Sequence, residues 1–169
     1  MVGVVGYALN SVIAMYPEHE AAIRATLTPR GEDFLFKVAD QCIAETIFNF
    51  MFRHLRPYFN EDIFELVHQE PFKSLFDDQR IGRYKPNAPV LIVSNRYDPL
   101  VPWTGANQLG RDWCAQGADV QFSTNEEPPF LNKLVVNHAL PMVVDGERAM
   151  QWIADRFNGL PTTPNCGQF

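Results

Sequence analysis

The chain has 169 residues, of which 46% are hydrophobic and 20% are charged, and its formal net charge is −6 at pH 7. These values are typical of a globular domain with a core of its own and argue against intrinsic disorder. Lys and Arg do not cluster along the sequence. Because an acidic chain is repelled by nucleic acid and by anionic membranes, we expect neither as a partner.

The first half of the sequence predicts helices and no strand. Residues 2–16 are apolar but too few to span a membrane, and they lack the basic start of a signal peptide, so we expect a buried helix. Thr28-Pro29 has the pattern of a helix N-cap and first helical residue. Apolar residues spaced three or four apart predict a further helix over Ile43–Leu55. Asn60 is expected to cap a short helix that follows.

The second half of the sequence alternates between strand and helix patterns. They lie in the order strand, helix, strand, helix over residues 90–93, 103–116, 120–124 and 147–157. This order is typical of a doubly wound parallel sheet with a right-handed crossover. Since two parallel strands are not a self-sufficient sheet, we expect an exposed edge beside Val90–Ser94 to seek a partner.

Two residues that can do chemistry follow the two predicted strands. Asp98 comes after the first strand, and His138 is predicted to lie in a loop after the second. The ends of neighbouring parallel strands share one edge of a sheet, where a carboxylate can fix the tautomer of an imidazole that acts as general base. The alternatives are an Asp that caps a turn before Pro99 and a His bonded to backbone.

No residue of this sequence has the pattern of a catalytic nucleophile. The G-x-S-x-G turn of serine hydrolases is absent from the 169 residues. Cys42 and Cys114 lack an obvious activating neighbour. The His residues show no metal-ligand spacing, and no dinucleotide or phosphate loop is present, so we predict no metal and no cofactor.

The aromatic residues are concentrated in the helical half. Most of them are expected to form its core. Phe48, Phe50 and Phe52 cannot all lie on one face of a helix, so some apolar surface should meet another layer or an apolar ligand such as an acyl chain. The candidate substrate-binding residues are Phe48, Phe52, Phe64 and Phe72.

The three cysteines carry information about the compartment. Cys166 lies in a tail rich in Pro, Thr and Asn, where a covalent tether would be useful. If the protein is secreted, we expect a disulfide between Cys114 and Cys166, which leaves Cys42 without a partner in this chain.

These residues, in this order, resemble the secretory lipases of the lipase-A-like α/β-hydrolase family, especially its actinobacterial branch. His138 matches the catalytic His of that family, and Asp98 matches its catalytic acid. The segments that carry the resemblance are Tyr16-Pro17-Glu18, Leu27-Thr28-Pro29 with Gly31, Ala88–Ile92, Asp98–Pro102, Asp112–Val120, Trp152–Phe157 and Pro164-Asn165-Cys166.

The resemblance implies a partial α/β-hydrolase with a helical cap over residues 1–82 and the last two β/α units of the doubly wound sheet over 83–169. It implies part of a secreted, cofactor-free serine carboxylic ester hydrolase, similar to triacylglycerol lipases. The family's Ser turn and first strands have no counterpart in these residues, and Asn95 stands where the family usually has Gly. The chain could then pair with the missing hydrolase part or with a copy of itself. The alternative is a non-catalytic lipid-binding or interaction domain derived from a lipase.

Overall fold

The computed structural model describes residues 2–131 and 135–169. The chain divides into two compact units, one that ends at Arg80 and one that begins at Ile81. Among the described residues, no helix is both long and apolar enough to cross a membrane.

The first unit consists of helices packed around one apolar core. The helices are α1 (Val2–Met15), α2 (Glu20–Ala25), α3 (Pro29–Ala39), α4 (Ile43–Phe50), α5 (Ile63–Leu66) and α6 (Phe72–Gln79), with 3-10 turns at Pro17–His19 and Arg56–Tyr58. Helix α1 contacts α3 and α4. Gly3 of α1 allows this approach, because a Cβ there would lie 2.1 Å from Thr46 Cγ2. The core includes Ile23, Phe34, Leu35, Val38 and Phe59.

Local hydrogen bonds decide where these helices begin. The predicted cap of α3 is confirmed, since the Thr28 hydroxyl accepts a hydrogen bond from the Gly31 amide at 3.1 Å. The predicted cap of α5 is wrong: Asp62 accepts from the Phe64 amide at 2.8 Å. The Asn60 side chain instead donates from Nδ2 to the carbonyl of Leu27 at 2.9 Å, where it holds two chain segments together.

The helix predicted over Ile43–Leu55 is shorter than its apolar pattern suggested. Helix α4 ends at Phe50, and a turn follows in which the Arg53 amide donates to the Phe50 carbonyl at 3.2 Å. Leu55 still packs against the core, but it does so from the segment before the 3-10 turn. Hydrophobic spacing alone therefore overestimated the length of this helix.

The second unit contains the predicted β-α-β arrangement. Its elements are β1 (Val90–Asn95), α7 (Trp103–Ala115), β2 (Val120–Asn125), α8 (Val136–Val144) and α9 (Gly146–Phe157). The strands are parallel, with Val90 opposite Val120 and Asn95 opposite Asn125. The side chain of Asn165 accepts from the Phe122 amide at 2.8 Å on the outer edge of β2. No described strand pairs with the outer edge of β1.

The tail that carries Asn165 is tied to helix α7 by a disulfide. Cys114 is bonded to Cys166, with 5.7 Å between their Cα atoms. Cys42 in the first unit is a free, exposed thiol. The link therefore holds the C-terminal tail beside the sheet.

Helix α8 was not predicted, and His138 lies in it rather than in a loop. The sequence around His138 contains Pro141, which usually breaks a helix. Here the helix continues past it, because the missing amide removes only the bond to the carbonyl of Asn137, and the Asp145 amide still donates to the Pro141 carbonyl at 3.0 Å. His138 is thus held by a regular element near its N-terminus.

Candidate active site

Asp98 and His138 are hydrogen-bonded to each other. Asp98 lies three residues beyond the end of β1, and His138 is the third residue of α8. The distance from His138 Nδ1 to Asp98 Oδ2 is 2.8 Å. An ionised carboxylate can only accept, so Nδ1 donates, and in the neutral imidazole Nε2 then keeps its lone pair. The side chain of Asp98 is 7% exposed and that of His138 is 43% exposed, so a buried acid supports an accessible imidazole.

The second carboxylate oxygen of Asp98 shapes its own loop. Asp98 Oδ1 accepts hydrogen bonds from the amides of Leu100, at 2.8 Å, and Val101, at 3.0 Å. This is the Asx-turn geometry that Asp before Pro favours. Asp98 can therefore form the turn and orient His138 at the same time, because Oδ1 accepts the turn's amides and Oδ2 accepts from the imidazole. The turn leaves Oδ2 aimed at His138.

Three buried asparagines join the loop of Asp98 to the helix of His138. Asn95 ends β1, Asn125 ends β2, and Asn137 precedes His138; the first and last of these are fully buried. Asn95 Nδ2 donates to Asn125 Oδ1 at 2.6 Å, and Asn137 Nδ2 donates to Asn95 Oδ1 at 3.1 Å. Asn95 Oδ1 also accepts from the Tyr97 amide at 2.8 Å, which turns the chain towards Asp98. We call these three residues the asparagine cluster.

The asparagine cluster also holds the loop that follows β2. Asn137 Oδ1 accepts from the Phe130 amide at 2.8 Å, and its Nδ2 donates to the carbonyl of Pro128 at 3.1 Å. Asn125 Nδ2 donates to Asp145 at 2.6 Å, just before α9. Buried amides with all these partners have one preferred arrangement, so the cluster fixes how the two loops meet.

Sequence reasoning noted Asn95 but missed the cluster. Asparagine is a common turn residue, so one at the end of each strand suggests only a loop. The strand register could have indicated that two of these residues are in contact. Asn95 and Asn125 are both the last residues of parallel strands, and they lie opposite each other in the sheet. Asn137 gave no separate signal, because α8 itself was not predicted.

The four candidate phenylalanines lie in different environments. Phe64 and Phe72 line an apolar cavity of about 270 Å³ inside the first unit, together with Val5, Leu9, Ile63 and Phe76. Phe72 is a core residue, whereas Phe64 is largely exposed. Phe48 and Phe52 are exposed and are not among the residues that line this cavity. Within the described ranges, no group of three His, Cys, Asp or Glu side chains could hold a metal ion.

Comparison with known proteins identifies the family. The family model described as secretory lipase matches residues 1–165. This chain belongs to the secretory lipase family. A secreted triacylglycerol lipase of Malassezia furfur is 24% identical over 160 residues, which are 90% of this chain and 40% of the relative. A Candida albicans lipase, Lipase 2, is 27% identical and is aligned over 97% of this chain and 35% of its own length.

A solved structure of a lipase has the same fold. Candida antarctica lipase A in its closed state matches 96% of this chain and 38% of its own chain, with a TM-score of 0.73 and 21% identity. The predicted fold class, a partial α/β-hydrolase, is thereby confirmed. This secretory lipase chain therefore spans well under half the length of the relatives that it matches.

Proposed function

We propose that this chain carries the acid and the base of a serine-type carboxylic ester hydrolase that acts on lipid esters, in the manner of a triacylglycerol lipase. The single observation that carries the proposal is the hydrogen bond of 2.8 Å between His138 Nδ1 and the buried carboxylate of Asp98. The names of the relatives in Malassezia furfur and Candida albicans support the class of reaction.

In the proposed reaction, Nε2 of His138 takes the proton of a serine hydroxyl as the oxygen attacks the ester carbonyl. Asp98 stays ionised and stabilises the imidazolium that forms. His138 then gives the proton to the departing alcohol, and the same steps with water release the carboxylic acid. Because these 169 residues contain no G-x-S-x-G turn, we assign the nucleophile to a segment other than these.

In the same proposal, residues 1–82 form the cap, and the apolar cavity lined by Phe64 and Phe72 receives part of the acyl chain. Its volume of about 270 Å³ is near the lower end of ligand pockets, roughly 300 Å³. The cavity would then hold a segment of a long acyl chain rather than all of it. Phe48 and Phe52, which are exposed, stay candidate contacts for the rest of the lipid.

The proposed setting is a secreted protein that is completed by a partner at the sheet. The disulfide between Cys114 and Cys166 suits an oxidising compartment. The outer edge of β1, which no described strand pairs with, offers unpaired backbone groups to another strand. We propose the rest of a hydrolase sheet as the first partner for this edge, and a second copy of this chain as the alternative.

The experiment that tests the proposed function is a chimeric enzyme. This chain replaces the matched segment of the Malassezia furfur secreted triacylglycerol lipase, which supplies the rest of the hydrolase. We expect the chimera to hydrolyse a p-nitrophenyl ester of a long-chain acid. His138→Ala should lower kcat by about 10⁶-fold, as loss of the base does in a known triad.

The matched control is His54→Ala, because His54 is an exposed imidazole of the same chain that is outside the proposed site. A chimera that keeps its kcat when His138 is replaced would contradict the proposal. If the chimera binds a fatty acid in native mass spectrometry but never turns over an ester, the non-catalytic alternative is favoured instead. The non-catalytic alternative is supported by the apolar cavity alone, which would bind the lipid without the Asp98–His138 pair.

A further inference from the structure

A second pocket of the first unit has a different chemistry from the apolar cavity. It encloses about 480 Å³ and is lined by residues of α3 and by the end of α4 with the turn after it. Three cationic side chains line it: Arg30 and Lys37, seven residues apart on one face of α3, and Arg53. Asp33 is the single acid among its lining residues. We call it the basic pocket.

The three cations of the basic pocket are not used by ion pairs within the part of the chain that the structure describes. Other cations of the same unit behave differently, since Arg24 pairs with Glu20 at 2.7 Å and Lys73 pairs with Asp77 at 2.5 Å. In a chain of net charge −6, three cations against the single acid Asp33 around one concave surface concentrate positive potential there.

The inner wall of the basic pocket is aromatic and holds an unused hydroxyl. Phe34, Phe50 and Tyr58 line it, and the rings of Phe34 and Tyr58 are 4.8 Å apart. Tyr58 is only 3% exposed, yet its hydroxyl makes no hydrogen bond to any described residue. Because this hydroxyl is not among the side-chain atoms fully shielded from water, it can donate a hydrogen bond to a ligand in the pocket.

One of the cations is already held in place. The Arg30 guanidinium lies over the ring of Tyr58, with 5.1 Å from its central carbon to the ring centroid. This cation–π contact orders the side chain before any ligand arrives. A guanidinium presents paired N–H donors that match the oxygens of a carboxylate or a phosphate. The pocket therefore joins oxyanion donors to an apolar wall.

We propose that the basic pocket binds an oxyanion, a carboxylate or a phosphate, whose attached apolar group lies against the aromatic wall. Arg30, Lys37 and Arg53 supply the charge, and the Tyr58 hydroxyl donates the neutral hydrogen bond. The site lies wholly within the first unit and does not depend on ester hydrolysis. Failure of the chimeric lipase would therefore leave this proposal standing.

The test is a titration of the full chain followed by amide NMR at low salt. The ligands are sodium octanoate below its micelle concentration, inorganic phosphate, and 1-octanol as the uncharged match to octanoate. We expect saturable shifts from octanoate at residues that line the basic pocket and weaker binding of 1-octanol. If phosphate saturates the site as well as octanoate, the site binds free oxyanions. If octanoate alone saturates it, the site binds carboxylate amphiphiles. Both results support an oxyanion site.

Variants decide whether the charges of the basic pocket are responsible. The double variant K37Q/R53Q should weaken octanoate binding by about tenfold, since each exposed charge contributes roughly 0.7 kcal/mol. Tyr58→Phe should weaken it by less and leave the fold unchanged. Lys73→Gln is the control, because it removes a lysine of the same unit outside the pocket. The proposal is overturned if neither anion saturates, if 1-octanol binds as tightly as octanoate, or if Lys73→Gln loses as much affinity as the double variant.

Discussion

Replacement of Asn95 by Ala should destabilise the second unit strongly. The buried Asn95 side chain makes four hydrogen bonds: it donates to Asn125 and to the Glu127 carbonyl, and it accepts from the Tyr97 amide and from Asn137. Each contributes about 1 kcal/mol net, and some partners would be left buried without a substitute. We therefore expect the free energy of unfolding to fall by about 3–4 kcal/mol.

Urea unfolding followed by tryptophan fluorescence measures this loss. The three tryptophans, Trp103, Trp113 and Trp152, all lie in the second unit, so their signal reports on that unit. With a urea m-value of about 1.5 kcal/mol/M, the midpoint should shift by roughly 2 M.

Asn107 offers a matched control, because it is a buried asparagine of the same unit outside the asparagine cluster. Its Oδ1 accepts one hydrogen bond from Arg111 at 2.9 Å, and its Nδ2 has no partner among the described residues. Asn107→Ala removes an unpaired donor along with one bond, so we expect a loss of at most about 1 kcal/mol. Equal losses of unfolding free energy in Asn95→Ala and Asn107→Ala would refute the reasoning. The four hydrogen bonds of Asn95 would then contribute no more than the single bond of another buried asparagine.

Three other results follow from the structure. Reduction of the Cys114–Cys166 disulfide, which closes a loop with a sequence separation of 52, should lower the stability of the second unit by about 4 kcal/mol in urea unfolding; an unchanged midpoint would contradict this. The hydrogen bond to Asp78 raises the pKa of Tyr16, so its stabilising effect is present at neutral pH and is lost as the pH rises through that raised value. Ultraviolet titration of Tyr16→Phe against the parent chain would reveal it, and a Tyr16 pKa at the usual value near 10 would count against it. The isolated chain should not turn over p-nitrophenyl esters, and turnover that vanishes in His138→Ala would overturn our assignment of the nucleophile.

The sheet of the second unit could be predicted because its pattern is local. A continuous apolar run such as Val90–Val93 is what a strand covered on both faces requires, and the helix between the strands has a length that a crossover needs. Asp98 and His138 became candidates because they follow these strands. Their separation of 2.8 Å depends on how the two loops fold, which strand patterns do not describe.

The missed features depend on contacts between residues far apart in sequence. Helix α8 tolerates Pro141 because its neighbours supply the remaining bonds, which a sequence that contains a proline does not reveal. Asn60 is a residue type that often caps helices, but its side-chain Nδ2 donates to the carbonyl of Leu27 instead. The asparagine cluster joins positions 30 and 42 residues apart: the register of the strands brings Asn95 and Asn125 together, and helix α8 adds Asn137.

The central claim is that Asp98 holds His138 with Nε2 free to act as a base. Long-range ¹H–¹⁵N NMR of the isolated chain, at a pH where the imidazole is neutral, measures directly which ring nitrogen carries the proton. We predict that His138 is protonated at Nδ1 and bare at Nε2, and that Asp98→Ala abolishes this preference. A His138 that is protonated mainly at Nε2, or whose tautomer is the same in Asp98→Ala, would contradict the claim.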